Sequence, residues 1–482
     1  MDLLIGLDIG TSAIKGVAVT VNGEQLASGR RTVPFEYPRP GHVEVSAQKH
    51  YLLLCDLIRE LAAQAGTNRR IKALGVAVAS GNSILLDADK RPLTRIISWL
   101  DQRAVDETET ILPTLDTEQV HEITGWPWIE MFPLAQLAWL KHYLSDVYTS
   151  ARYRKMNLEY LLYRLCGRWV LDCSNATTSY LHDQRSRTWH EPYLDMLEIP
   201  RQGMSELLPA GTSLGPLRPE SRQQTGLDAS TELVLGAFDH PCAARATGTL
   251  KPGQFLLSCG TSWAAFYPLK RRDPAVQQGM LVDPFLEPGG PWAGIGALRS
   301  IGVNIDWTID NLVVPPGSEN RYQLFNVAAA AAPAGAGGLY LNPLKELSRD
   351  PERVGQIRGS FAREQIARAV MEGAAFETRR LIERYAAAGI PTAQMAMVGG
   401  PSESPIWPQI VADITGLELT LVNGQNAGAV GAAALAGIGS GCYRNEVEAF
   451  EAFGGRKRII TPEPRRADAY SKLYQEYLQA RT

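Results

Sequence analysis

The stretch LLIGLDIGTSAIKGVAV, residues 3–19, decides the fold. Residues 3–8 and 13–20 are rich in Leu, Ile and Val and read as two strands, with Gly10, Thr11 and Ser12 as the turn between them. Asn22-Gly23 then separates two further extended runs, which is a strong hairpin signal. The chain is therefore expected to open as an antiparallel meander. Near its midpoint GQFLLSCGTSWAAFYPL, residues 253–269, repeats the same plan of strand, Gly-Thr-Ser and strand. Two halves opening with one glycine hairpin predict two related α/β lobes facing a cleft, divided at 247/248 into residues 1–247 and 248–482.

Between these landmarks the spacing predicts a helix over 47–65, strands over 73–80 and 83–89, and a helical region from about 130 to 166. A long helix is expected over 362–389, ended by Gly389 at C′. A short buried strand follows at 396–400. Ser404 is then expected as N-cap, Pro405 at N1 and Gly416 at C′ of a further helix. Residues 427–441, AGAVGAAALAGIGSG, have side chains small enough for close helix packing.

Composition narrows the class. With 482 residues, 45% hydrophobic and 21% charged, the chain fits a globular protein of two or three domains. A net charge of −3 leaves no footprint for nucleic acid or an anionic membrane, and no apolar run approaches the length of a membrane span. No basic segment precedes the first apolar run, so a signal peptide is not expected. Six scattered cysteines without a CxxC pair argue against disulfides or zinc. A cytoplasmic protein without nucleic-acid or membrane partners is the expectation.

A Gly-Thr-Ser turn presents backbone N–H groups and hydroxyls to an anion, phosphate above all. Two such turns, Gly10-Thr11-Ser12 and Gly260-Thr261-Ser262, suit a polyphosphate. Asp8, just before the first turn, is placed to hold hydrated Mg²⁺, and Lys15 to reach the terminal phosphoryl oxygens. There is no P-loop motif. In GAFDHPCAARATG, residues 236–248, Asp239 reads equally well as a base for an acceptor hydroxyl and as a helix N-cap before Pro241. His240 reads as a pocket wall or core residue. Trp99, Asp101 and Arg103 form either an aromatic wall with charged groups for sugar hydroxyls or a solvated helix start.

These pieces, GLDIGTSAIKGVAV, WLDQRA, GAFDH, SCGTSWAAF, EGAAFE, VGGPSESPIWPQIVADITGLEL and AGAVGAAALAGIGSG, stand in an order that resembles the FGGY family of carbohydrate kinases over residues 3 to 442. The resemblance implies two actin-like (ribonuclease H-like) lobes with an interlobe cleft, closing on ATP, Mg²⁺ and a small-molecule sugar or polyol. It makes Asp239 the catalytic base and Asp8 the metal-associated aspartate. Gly10, Thr11, Ser12 and Lys15 become the first phosphate loop, and Gly260, Thr261 and Ser262 the second. Gly399, Gly400, Pro401, Ser402 and Ser404 fall on the nucleotide side. The substrate segments implied are Ser80, Gly81 and Asn82, then Trp99, Asp101 and Arg103, and Asp239 with His240. The SGNS run at Ser80–Ser83 matches neither the xylulokinase nor the glycerol kinase pattern, and Gln136 stands where the family often has lysine. The expected acceptor is a ketose or polyol, D-xylulose first; a kinase for another acceptor and a non-catalytic nucleotide-dependent sugar sensor are the alternatives. A homodimer is expected from the resemblance alone.

Overall fold

The computed structural model describes residues 2–66, 69–286, 289–422, 424, 426–454 and 458–480. The chain forms two compact units, Met1–Leu250 with Lys270–Ala293 and Asn426–Gly455, and Lys251–Leu269 with Gly294–Gln425 and Arg456–Thr482. The expected cut at 247/248 lies close to the first unit's end at Leu250, while two later segments return to that unit.

In the first unit β1 (Asp2–Ile9), β2 (Ala13–Thr20) and β3 (Gln25–Thr32) make the antiparallel meander. Helix α1 (Ala47–Gln64), N-capped by Ser46, lets β4 (Arg70–Val78) return parallel to β1. With β5 (Ser213–Pro216) and β6 (Glu232–Val234) the sheet order is β5-β6-β4-β1-β2-β3. Beyond β6 the chain stays beside β4 through a parallel bridge from Val78 to Phe238, and α2 (Asp239–Thr247) starts there. The strand expected over 83–89 is shorter, Ser83–Leu86, because Asp87 closes a turn by accepting the N–H of Arg91. The region from 130 to 166 is not continuously helical: Tyr153–Met156 is a strand between helices, recruited by antiparallel pairing with Ser83–Leu86.

The second unit opens with the hairpin of β7 (Gln254–Cys259) and β8 (Trp263–Leu269). Helix α3 (Arg363–Ala387) leads to β9 (Gln394–Gly399), which lies parallel to β7. Helix α4 (Trp407–Thr415) leads to β10 (Leu419–Leu421), parallel to β9. The expected helix start at Pro405 moves to Trp407, since Gly400–Glu403 first makes a 3₁₀ turn; the N-cap position falls on Ile406 rather than Ser404, whose Oγ nevertheless accepts the Trp407 N–H at 3.1 Å. Each unit thus pairs a hairpin with a parallel strand along the first hairpin strand.

Helix α5 (Ala427–Gly439) belongs to the first unit and crosses β1 and β4 at backbone contact. A Cβ on Gly6 would lie 1.8 Å from the Ala429 carbonyl oxygen, and one on Gly75 2.1 Å from that of Ala432. On its other side Gly431 approaches α2, where a Cβ would lie 1.8 Å from the Cys242 carbonyl oxygen. Small residues are required on both partners, because no rotamer relieves a clash with backbone. Among the described residues no helix is long and apolar enough to cross a membrane.

Gly6→Ala is therefore expected to destabilise the chain by about 3 kcal/mol or more, at the upper end of overpacking costs. Gly355→Ala, in an exposed helix where a Cβ meets nothing within 4 Å, should instead be neutral or stabilising. Denaturant unfolding of both variants checks the contrast.

Candidate functional site

The first unit gathers its carboxylates at the carboxyl ends of parallel strands, where open α/β sheets place their ligands. Asp8 is the penultimate residue of β1, pairing in register with Lys15 across the hairpin and with Ala77 on β4. Asp239 follows the strand beyond β4 and is the first residue of α2, so it does start a helix, whose N-terminal dipole favours its anion. Asp239 Oδ1 accepts the N–H of His240 at 2.7 Å. Asp8 Oδ1 is buried with no hydrogen-bond partner among the described residues. Burial, and then the charge of Asp239, push the Asp8 carboxyl up to about 7, against the opposing pull of Lys15. A buried carboxylate with an orphaned oxygen beside a second carboxylate is a site that a divalent cation relieves, so these residues fit Mg²⁺.

The turn next to Asp8 is closed by the Gly10 N–H, which donates to the Ala13 carbonyl at 3.1 Å. The Thr11 and Ser12 N–H groups have no acceptor among the described residues, and the Ser12 side is exposed. Thr11 Oγ1 accepts a hydrogen bond from the Trp99 indole Nε1 at 3.0 Å. Asn82 Oδ1 accepts the backbone N–H of Trp99 at 2.9 Å, which brings the SGNS segment and the WLDQRA segment together beside the turn. Ser80 is buried and its hydroxyl points at the Met156 sulfur, 3.8 Å away. Asp101 and Arg103 face each other rather than open space: Arg103 donates to both Asp101 oxygens and to Glu44, and Asp101 Oδ2 also accepts the Val43 N–H at 2.6 Å. His240 stands edge-on to Phe238, with ring centroids 5.4 Å apart.

Behind Asp239 lies a group that motif reading did not find. The Phe238 N–H donates to Ser174 Oγ at 3.3 Å, and Ser174 Oγ donates to Asp283 Oδ2 at 2.5 Å. Asp283 is fully buried, and burial raises its carboxyl to about 7; Asp172, near it, is raised to about 6 for the same reason. Arg245 of α2 donates to the carbonyls of Pro241 and Phe285 and moderates both acids. The only trace of this group in the sequence is an aspartate at the end of an apolar run, LVD at 281–283.

In the second unit the Gly260-Thr261-Ser262 turn is exposed. Thr261 O accepts the Gly302 N–H at 3.0 Å and Ser262 Oγ accepts the Ser300 N–H at 3.1 Å. Gly260 and Thr261 line a cavity of about 800 Å³ together with Gly400, Pro401 and Ser404. Its walls are mostly apolar, with Val303, Ile305, Phe325 and Trp407 among them, and Asn326 supplies a polar edge held by Ser404 Oγ at 2.6 Å. That size and lining are typical of a small-molecule site. Ser262, Gly399 and Ser402 flank this cavity in sequence without lining it.

The family model for the N-terminal domain of FGGY carbohydrate kinases matches residues 3–245, and the one for the C-terminal domain matches 255–440. An autoinducer-2 kinase of Klebsiella pneumoniae is 27% identical, covering 99% of this chain and 93% of its own. A xylulose kinase of Bacillus subtilis is 25% identical over 99% of this chain and 96% of its own. The crystal structure of a xylulose kinase from Rhodospirillum rubrum superimposes with a TM-score of 0.87 at 26% identity, over 99% of this chain and 98% of that one.

Asp283 offers a stability test. Its folded carboxyl is raised above the unfolded value of 3.8, so the fold favours the neutral form and loses that contribution as pH rises through about 7. Asp283→Asn cannot ionise. The variant's unfolding temperature, relative to wild type, is expected to rise by a few degrees between pH 5 and 7 and to flatten above. A pH-independent difference in calorimetry would show that Asp283 does not titrate in this range.

Proposed function

Because the chain belongs to the FGGY family of carbohydrate kinases, with the two-domain actin-like fold of its structural relatives, we propose that it transfers the ATP γ-phosphoryl group to a hydroxyl of a short ketose or polyol, D-xylulose first. Membership makes it an ATP-dependent, Mg²⁺-using phosphotransferase with an alcohol acceptor on a small-molecule sugar. The observation that carries the residue roles is the pairing of Asp8, with its orphaned Oδ1, and Asp239 in one electrostatic field beside a turn with open N–H groups.

In this reading Asp239 accepts the proton of the acceptor hydroxyl as that oxygen bonds to the γ-phosphorus and the bond to the β–γ bridging oxygen breaks. ADP leaves with the bridging oxygen. Thr11, Ser12 and Lys15 hold the phosphoryl oxygens from the first unit. Gly260, Thr261 and Ser262 serve the second phosphate loop, and the 800 Å³ cavity takes the nucleoside. Asp8 would hold Mg²⁺, which neutralises phosphate charge when bound. Trp99 gives the acceptor an apolar wall. Asp101 and Arg103, bound to each other, support that wall rather than read hydroxyls.

A second acceptor class is favoured by the autoinducer-2 kinase relative, which is as similar as the xylulose kinase and covers as much of the chain. A coupled ADP-release screen with MgATP over ketopentoses, tetruloses, pentitols, aldonates and phosphorylatable signalling ketoses separates the two. D-xylulose turnover with kcat/KM of about 10⁴ M⁻¹s⁻¹ or above supports the first reading, and turnover only with another acceptor replaces it. Nucleotide binding without any turnover would favour a non-catalytic sensor. Asp239→Ala is expected to lower kcat by about 10² to 10⁴ while MgATP binding by calorimetry stays near wild type. Unchanged kcat would sink the base assignment.

A further inference from the structure

The polar atoms around Trp99 form a chain that ends on the first Gly-Thr-Ser turn. Gln136 is only 1% exposed, in the helix Pro133–Tyr143. Its Nε2 faces three carbonyl oxygens: Gly81 at 3.2 Å, Ser98 at 3.1 Å and Met131 at 2.6 Å. Gly81 and Ser98 immediately precede Asn82 and Trp99, so one amide staples the two segments side by side. Asn82 then completes the join. Its Oδ1 accepts the Trp99 N–H at 2.9 Å and its Nδ2 donates to the Ala79 carbonyl at 3.3 Å.

The indole is fixed as well. Its ring stacks on Phe132, with centroids 6.4 Å apart and planes 28° from parallel. Phe132 closes over Gly81, whose φ of +99° and whose Cβ position, 2.4 Å from Phe132 Cε1, exclude a side chain there. With backbone and ring both held, Nε1 is aimed at Thr11 Oγ1, 3.0 Å away. An indole N–H can only donate, so the Thr11 hydroxyl must accept with one lone pair. Its own proton then rotates away from the indole and remains available to another acceptor.

We propose that Trp99 is a positioning residue: its indole N–H polarises the Thr11 hydroxyl as a donor to the phosphoryl group being transferred, and Gln136 and Asn82 are the staples that hold the indole in place. This rests on the reading of the Gly10–Ser12 turn as a phosphate grip. The ring face and the ring nitrogen then have separate duties. The face not covered by Phe132 would meet an acceptor, while the nitrogen is committed to the phosphate side. An acceptor packed on the ring bears on the same residue that orients Thr11, which couples acceptor occupancy to phosphate alignment and favours transfer over loss of phosphate to water. The staple also gives the unusual SGNS segment and Gln136 a physical role. They build the support of Trp99.

A double-mutant cycle read in kinetics tests this relay. Trp99→Phe keeps a stacking ring and removes the N–H; Thr11→Val keeps the shape and removes the hydroxyl. Thr11→Val should raise KM for MgATP or lower kcat by about tenfold or more, the usual worth of a hydrogen bond to a charged group. Trp99→Phe should change the same parameter by about threefold to tenfold and raise the ratio of acceptor-independent ATP hydrolysis to transfer. In the Thr11→Val background Trp99→Phe should add nothing. Multiplying effects, or a change confined to the acceptor KM, would overturn the relay. A Thr11→Val enzyme with unchanged MgATP kinetics would instead overturn the phosphate reading of the turn itself. Asn82→Ala keeps the indole itself and removes its backbone anchor together with the bond to the Ala79 carbonyl. It should shift MgATP kinetics in the same direction by a smaller factor, and it decides the matter if Trp99→Phe does not fold; a shift in acceptor KM alone from Asn82→Ala would overturn the relay equally.

Discussion

Everything at the first unit's site depends on how closely helix 427–439 lies on the sheet. At Gly6 and Gly75 the helix backbone touches the strand backbone with no side chain between, and at Gly431 it touches the helix that begins with Asp239. The N-terminal turn of the same helix reaches Asp8, since a Cβ on Gly428 would lie 2.8 Å from Asp8 Oδ2. One small-residue helix therefore sets the separation between the strand that carries Asp8 and the helix that starts at Asp239. Larger residues on either partner would push the two carboxylates apart, and their mutual repulsion would fade with distance.

That repulsion acts on a buried group. Burial is the largest contribution to the raised Asp8 carboxyl, with the charge of Asp239 second. Among the described residues no donor reaches Asp8 Oδ1, an oxygen that a proton or a cation would satisfy. Behind Asp239 the same logic recurs in neutral form: Ser174 joins the Phe238 N–H to the buried Asp283, so the peptide entering the helix is tethered to an acid that burial biases towards its neutral form.

The identical Gly-Thr-Ser triplets were legible in the sequence, and they do occupy equivalent hairpins, between Ile9 and Ala13 and between Cys259 and Trp263. So was the closeness implied by the small-residue run at 427–441. What was not legible came from contacts between distant segments. Nothing local to residue 427 says that its helix packs on residue 6. The Ser174–Asp283 bond spans 109 positions, and each residue alone reads as an ordinary buried polar group. Asp101 and Arg103 carried the right chemistry for sugar hydroxyls, but Glu44 and the Val43 N–H, from a segment far upstream, satisfy them first. The strand at Tyr153–Met156 shows the same effect in secondary structure, where edge pairing overrode a helical pattern.

The two turns also differ in a way their sequence hides. In the second unit two residues of the turn are bound by backbone donors, Gly302 to Thr261 and Ser300 to the Ser262 hydroxyl, so that loop is braced by main chain. In the first unit main chain also braces the turn, Ser12 O accepting the Val33 N–H at 3.0 Å, and a side chain is added to it, the Trp99 indole on Thr11. A main-chain brace is insensitive to what binds nearby, whereas an indole is both a brace and a surface. Of the two turns' hydroxyls, that of Ser262 accepts from main chain and that of Thr11 from an indole ring. Identical triplets thus acquire different surroundings from the donors that reach them.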